Sequence, residues 1–298
     1  SATQYVDNTA AVGTAYEYKV VRTTSSAGTG YGYIASGIQV PVTDYRGKMV
    51  LLVDNTFTTS LATQLTQLVN DLRADGWVVL RSDVSRTASV TSIRSTIQSY
   101  YNADPTNVKA VFLFGHVPVP YSGQLAPDGH GDHNGAWPAD GYYGEMNGTW
   151  TDNSVNTSSG QSTRNHNVPG DGKFDQSNYP STVELQVGRV DLSMMESFQY
   201  YLGQSEQTLL SNYLTKLHNF KIKQTTPTFR GAVFDNFEDL NIAGCGYRSV
   251  SANVGTANTT DLNANGTPFG TTVNNQSYLW TYACGGGTWI SASNIATT

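Results

Sequence analysis

Three apolar runs, separated by two stretches of helical periodicity, constrain this chain more than any other feature. Residues 49–53 read Met-Val-Leu-Leu-Val without interruption and end in Asp54-Asn55. A continuous run suits a strand covered on both faces. Leu61, Leu65, Leu68, Val69 and Leu72 then recur at helical spacing, and Asp75-Gly76 closes that helix. Residues 77–80 read as the next strand, Val90, Ile93, Ile97 and Tyr100 mark a second helix, and residues 108–114 form a third strand. This alternation demands a parallel sheet with right-handed crossovers, with run 77–80 outermost. The strand ends Asp54, Arg81-Ser-Asp83 and Gly115-His116 should gather on one edge.

The remaining chain sorts around that unit. Residues 1–43 form a short β segment, in which Val12-Gly-Thr-Ala-Tyr16-Glu-Tyr18-Lys-Val20 alternates as a half-buried strand does. Residues 44–225 form a first α/β subdomain carrying a long irregular insertion, 117–180. Within it, the Ser/Thr/Asn-rich stretch 151–163 reads as a flexible loop. Residues 183–191 read as a strand and 197–220 as one helix. Residues 226–298 open a second α/β subdomain with a strand at 231–235 and a helix or turn around 242–250, and this subdomain is expected to be truncated. The predicted class is α/β: a parallel or mixed sheet flanked by helices in flavodoxin-like order.

Composition narrows the function. Only 13% of the 298 residues are charged, about half the usual share, and the net charge is −6. That balance argues against a nucleic-acid partner. No apolar run approaches membrane-spanning length. A neutral-polar, Tyr-rich surface is common among exported bacterial proteins, so a secreted or cell-surface location is expected, with any leader before Ser1 already removed. Two cysteines, Cys245 and Cys284, allow one bridge in an oxidising compartment but no disulfide scaffold.

The candidate chemistry lies in two places. Leu279, Trp280 and Tyr282 are good strand residues, and the run ends in Cys284-Gly285-Gly286-Gly287. A cysteine at a strand end can act as a nucleophile once a neighbouring base takes its proton. The N–H groups from Gly285 onward could then receive an oxyanion. The alternative is a buried, inert thiol beside a tight turn. The insertion holds the second candidate, a dense cluster of Asp128, His130, Asp132 and His133, with His166 as a further ligand. His with Asp suits zinc or another borderline divalent metal. The segment Asn167-Val-Pro-Gly-Asp171-Gly172-Lys-Phe174-Asp175 resembles a calcium loop, although position three is Pro and no Glu closes it. In both places the alternative is a solvated Asp-Gly loop. No organic cofactor is implied. His218, between Leu217 and Phe220, reads as a packing histidine.

Three further motifs, in order, carry a family resemblance: Phe112-Leu-Phe-Gly115-His116 before a Pro-rich turn, Ala139-Asp140-Gly-Tyr-Tyr-Gly144, and Glu184-Leu-Gln-Val-Gly188-Arg189. With Ala283-Cys284-Gly285, they resemble the gingipain-type cysteine peptidases of caspase-like fold over residues 45–290. Residues 1–40 resemble the last strands of a fibronectin type III module, which implies a longer, multi-domain chain. The resemblance implies a protein or peptide substrate, Cys284 as nucleophile, and Asp140 lining a specificity pocket for basic side chains, with Trp137 beside it; the alternative for Asp140 is an Asp that caps or ties the insertion. In that family the base lies in a His-Gly pair on the strand before the nucleophile, yet no histidine occurs between Asp235 and Cys284. Either His116 supplies the base, or Cys284 occupies the histidine-bearing strand and the nucleophile follows later. Two rival functions stand beside the thiol peptidase: metal-dependent hydrolysis at the Asp128, His130, Asp132 and His133 cluster, and a degenerate peptidase fold used in binding or adhesion.

Overall fold

The computed structural model describes residues 4–26, 28–40, 44–127, 129–160, 162–235, 242–262, 269–285, 287–288, 291–292 and 295–296. An antiparallel hairpin comes first, β1 (Tyr16–Thr24) with β2 (Gly28–Ser36). The core follows: β3 (Gly47–Asp54), α1 (Ala62–Ala74), β4 (Trp77–Val84), α2 (Val90–Ala103) and β5 (Val108–Phe114). The insertion contributes a small antiparallel pair, β6 (Tyr121–Leu125) with β7 (Gly135–Pro138). Then come β8 (Gln186–Val190), α3 (Glu196–Leu202) and α4 (Glu206–Lys221). The strand order is β4-β3-β5-β8, all parallel, with β4 at the edge as the βαβ pattern requires.

The continuous apolar run in β3 is explained by its two covered faces. Side chains alternate along a strand, so Val50 and Leu52 point to one side and Leu51 and Val53 to the other; all four are fully buried. Leu51 and Val53 meet Leu61, Leu65 and Leu68 of the α1 segment and Leu210 and Leu214 of α4. Val50 and Leu52 meet Ile93 and Ile97 of α2 together with Tyr142, Tyr143, Met146 and Phe174 of the insertion. The insertion is therefore half of one core layer. Its rings form a packed group: Tyr142 stacks on Phe174 at 4.5 Å, and Trp150 meets Tyr142 edge-on at 5.0 Å.

Two sequence expectations are corrected. The segment 197–220 is two helices, because Gly203 takes a left-handed conformation that ends α3, and the Ser205 hydroxyl caps α4 by accepting from Thr208 N. The stretch 151–163 is tied down: Asn153, Ser154 and Val155 donate backbone N–H groups to the Asp175 carboxylate, and Thr157 bridges Asn167.

A second parallel sheet has the order β10-β9-β11, built from β9 (Gly231–Asp235), β10 (Thr259–Asp261) and β11 (Trp280–Cys284), with helix α5 (Ile242–Val254) packed on it. Val233, Val250 and Val254 form its small core. The side chain of Cys245 lies outside the described ones, and so does the bridge considered for it.

Candidate active site

The chain reverses direction across the four-stranded sheet between β3 and β5: α1 leads outward to β4, and α2 returns across β3. The carboxyl ends of β3 and β5 flank that switch point, where open α/β sheets receive ligands. Asp54 ends β3 and is wholly buried. Its carboxylate accepts from Thr56 N at 3.0 Å, His116 N at 3.2 Å, and the Arg86 guanidinium at 2.5 and 3.0 Å. Arg86 also reaches Glu206 at 3.1 Å. Burial, opposed by the Arg86 charge, pushes the Glu206 carboxyl up. Gly115 makes the close approach to Asp54 feasible. Its φ is +81°, and a Cβ there would stand 2.6 Å from the Asp54 Cβ.

His116 follows Gly115 directly. Because Phe114 pairs with Val190 in the β5–β8 register, the residues just past those strands, His116 and Asp191, meet. His116 Nδ1 lies 2.8 Å from Asp191 Oδ2 and 2.9 Å from Ser193 Oγ. The Ser193 hydroxyl and backbone N–H both donate to Asp191 Oδ1, at 2.7 and 3.0 Å. Burial alone would raise the Asp191 pKa, but the bonds from Ser193 and His116 hold it below the usual carboxylate range.

The motif at 139–144 and the motif at 184–189 interlock beside this edge. Arg189 in β8 grips Asp140 with two parallel bonds, Nε–Oδ2 at 2.7 Å and Nη2–Oδ1 at 2.9 Å, and also donates to the Val117 and Pro118 carbonyls. The Gly144 carbonyl accepts from Glu184 N and Leu185 N, both at 3.0 Å, while the Glu184 carboxylate accepts from Met146 N and Asn147 Nδ2. The charge of Asp140 is thus met by Arg189, and the pair ties the insertion to β8. Trp137 donates its indole N–H to the Leu125 and His133 carbonyls. It lines a cavity of about 310 Å³ with Trp150, Gln176, Ser177, Asn178 and Tyr179.

Cys284 ends β11, opposite Asp235 in register, and is half-buried. Gly285 follows it, and Gly286 lies outside the described residues. The structure does not put Cys284 and His116 at the ends of one sheet: His116 follows a strand of the four-stranded sheet, and Cys284 ends a strand of the three-stranded one.

Of the metal candidates, Asp128 lies outside the described residues. The rings of His130 and His133 are 5.5 Å apart, and His133 Nε2 is 3.9 Å from Asp132. His166 Nε2 lies 3.1 Å from the Gly160 carbonyl. No group of three or more His, Cys, Asp or Glu side chains among the described residues is placed to hold a metal ion. In the calcium-like loop the carboxylates face backbone N–H groups. Asp171 accepts from Val168 N and Lys173 N, and Asp175 from the three N–H groups of 153–155 and from Thr151 Oγ1. Burial opposes this, but those bonds hold Asp175 well below the usual carboxylate range. Asn167, at the loop's first position, is fully buried and donates to the Gly123 and Phe174 carbonyls. His218 is more than packing: its Nδ1 lies 3.0 Å from Asp71 Oδ2, tying α4 to α1.

Sequence reasoning missed Arg86, Asp191, Ser193 and Glu206. Asp191 and Ser193 were within reach, since a strand order with β8 beside β5 predicts that the residues after each strand will meet. Arg86 and Glu206 come from loops and helix starts with no spacing signal.

A parallel α/β sheet wrapped by helices, with a histidine and acidic groups gathered at its carboxyl edge, is consistent with a caspase-like peptidase fold. Residues 43–208, more than half of the chain, match the model of Peptidase family C25, and the chain belongs to that family. Membership makes it a hydrolase of the cysteine-peptidase type. The matched stretch includes His116, Asp140, Arg189 and Asp191, and Cys284 lies beyond it. No curated protein and no solved structure matches the chain.

Proposed function

We propose that this protein cleaves peptide bonds through the Cys284 thiolate, with His116 as the group that takes the thiol proton. The observation that carries the reading is the position of Cys284 at the carboxyl end of a parallel strand, followed by Gly285, in a chain of a cysteine-peptidase family. In the attack, the S–H bond breaks, its proton passes to the imidazole, and the sulfur pair adds to the acyl carbon. The Gly285 N–H receives the oxyanion. The Trp137 cavity takes a substrate side chain. Its lining, which includes Ser122, Gln176, Asn178 and Tyr179, carries no charged side chain, so the cavity favours an uncharged side chain over a basic one. No described helix is long and apolar enough to cross a membrane. The low charge content supports an exported protein, and the hairpin β1–β2 supports a further β module as its neighbour.

The test is thiol labelling together with turnover. Cys284 should react with iodoacetamide well below pH 8, as an activated thiolate does. Cys284→Ala should abolish peptide hydrolysis with the fold retained. If Cys284 labels no faster than Cys245 and the Ala variant keeps full activity, the nucleophile lies elsewhere or the fold serves binding.

A further inference from the structure

The ring of His116 is held in a way that sets its tautomer. Asp191 Oδ2 sits 2.8 Å from Nδ1, and both are acceptors unless Nδ1 carries a hydrogen. At that distance two bare lone pairs would repel, so the hydrogen is on Nδ1 and is donated to Asp191. Ser193 is consistent with this. Its hydroxyl proton goes to Asp191 Oδ1 at 2.7 Å, which leaves the Ser193 oxygen as a second acceptor for the same Nδ1–H, at 2.9 Å. A serine nucleophile would have to hydrogen-bond Nε2 while the carboxylate holds Nδ1. Here both groups share Nδ1, so Ser193 belongs with the carboxylate.

The support reaches back into the fold. Asp191 is held by its own Asx turn to Ser193 N, and Arg189 Nη1 lies 3.7 Å from Oδ2. The His116 backbone N–H is fixed by Asp54, and the Asp191 side chain is only 15% exposed. Ring, carboxylate and backbone are thus each fixed independently, at the switch point where a ligand is expected. The hydrogen bonds of the ring to described residues all fall on Nδ1, and the His116 side chain is 34% exposed.

From this geometry we infer that Asp191, steadied by Ser193, is the positioning residue that locks His116 as the Nδ1–H tautomer and leaves Nε2 as a ready proton acceptor at the sheet edge. When Nε2 takes a proton, the Nδ1–H stays on Asp191, and the new imidazolium charge faces the carboxylate. The catalytic value of this arrangement rests on the proposed role of His116; the tautomer does not.

The experiment is long-range proton–nitrogen NMR on histidine-labelled protein, at a pH where the ring is neutral, with the His116 signal assigned from His116→Gln. Wild type should show Nδ1 protonated and Nε2 bare. Asp191→Asn, whose amide can donate to Nδ1, should move the ring toward the Nε2–H form. It should also lower kcat by about 10³–10⁴-fold with little change in KM, the size expected when an orienting carboxylate is amidated. Ser193→Ala should keep the tautomer and lose less than about tenfold. A wild-type ring protonated on Nε2, or one whose tautomer is the same in Asp191→Asn, overturns the inference; the first result needs no variant to fold. Full turnover by His116→Gln, with the tautomer as expected, would instead remove His116 from the proposed reaction and leave the positioning role standing.

Discussion

Glu145 offers the sharpest test of how the insertion is held. Its side chain is fully buried. One oxygen accepts from Arg94 Nη2 at 3.0 Å and Trp150 Nε1 at 2.7 Å. The other accepts from Asn147 N at 2.9 Å, Gly148 N and Ser181 Oγ. Glu145→Gln keeps the shape and replaces one oxygen with an NH₂. If the NH₂ takes the first position, it faces Arg94 and Trp150; if it takes the second, it faces two backbone N–H groups. Either way two buried donors lose their acceptor, at about 1–3 kcal/mol each. The Arg94 charge, only 12% exposed, also loses its partner, and breaking a buried pair from one side costs about 3–5 kcal/mol. These are two views of one loss, so the expected destabilisation is about 3–5 kcal/mol. Urea unfolding followed by tryptophan fluorescence reads it, with Asp83→Ala as the control. That change breaks the partly exposed Arg81–Asp83 pair and should cost less than about 1 kcal/mol. A Glu145→Gln loss under about 1 kcal/mol, with the unfolding slope unchanged, would refute the reasoning.

Gly115→Ala should destabilise by about 1–3 kcal/mol and shift the His116 NMR signals, because the new methyl meets Asp54 in a left-handed backbone conformation. Asp175→Ala should lower the melting temperature by an amount worth about 1–3 kcal/mol, equally in calcium and in chelator, since its partners are N–H and hydroxyl groups; a loss seen only in calcium would make the loop a metal site. Glu145, Asp175 and Asp191 all have folded pKa values below their ordinary 4.5, 3.8 and 3.8. Depressed carboxylates add stability above their unfolded pKa and lose it as pH falls through the folded one. Urea midpoints should therefore fall steadily below pH 4.5, less steeply in Glu145→Gln.

The core of the first sheet was legible because β3 is apolar on both faces, and only a parallel sheet covered on both sides explains that. The position of His116 at a strand end was legible for the same reason. The role of the insertion was not. Tyr142, Tyr143, Trp150 and Phe174 are spread over thirty-odd residues of polar loop with no period, and irregular backbone leaves no repeat to read. Asp140 left two readings open for a related reason: a motif gives a residue's place, whereas its partner Arg189 is supplied by a strand 49 residues away. The metal expectation at Asp171 and Asp175 rested on carboxylate density; sequence counts acceptors and does not show backbone donors such as those of residues 153–155. The break at Gly203 was readable, since Gly followed by Ser two residues later is a stop and a start.

The two faces of the first sheet close at different times as the chain emerges. The α2 side is completed by residues up to Leu185. The α1 side waits for Leu210 and Leu214, which lie about 160 residues after the strand they cover. During synthesis, at about 5–20 residues per second, Leu51, Val53 and Phe114 therefore spend several seconds with one side covered by the α1 segment alone. A nascent chain halted before residue 206 should offer that apolar surface to chaperones, and one halted after residue 221 should not.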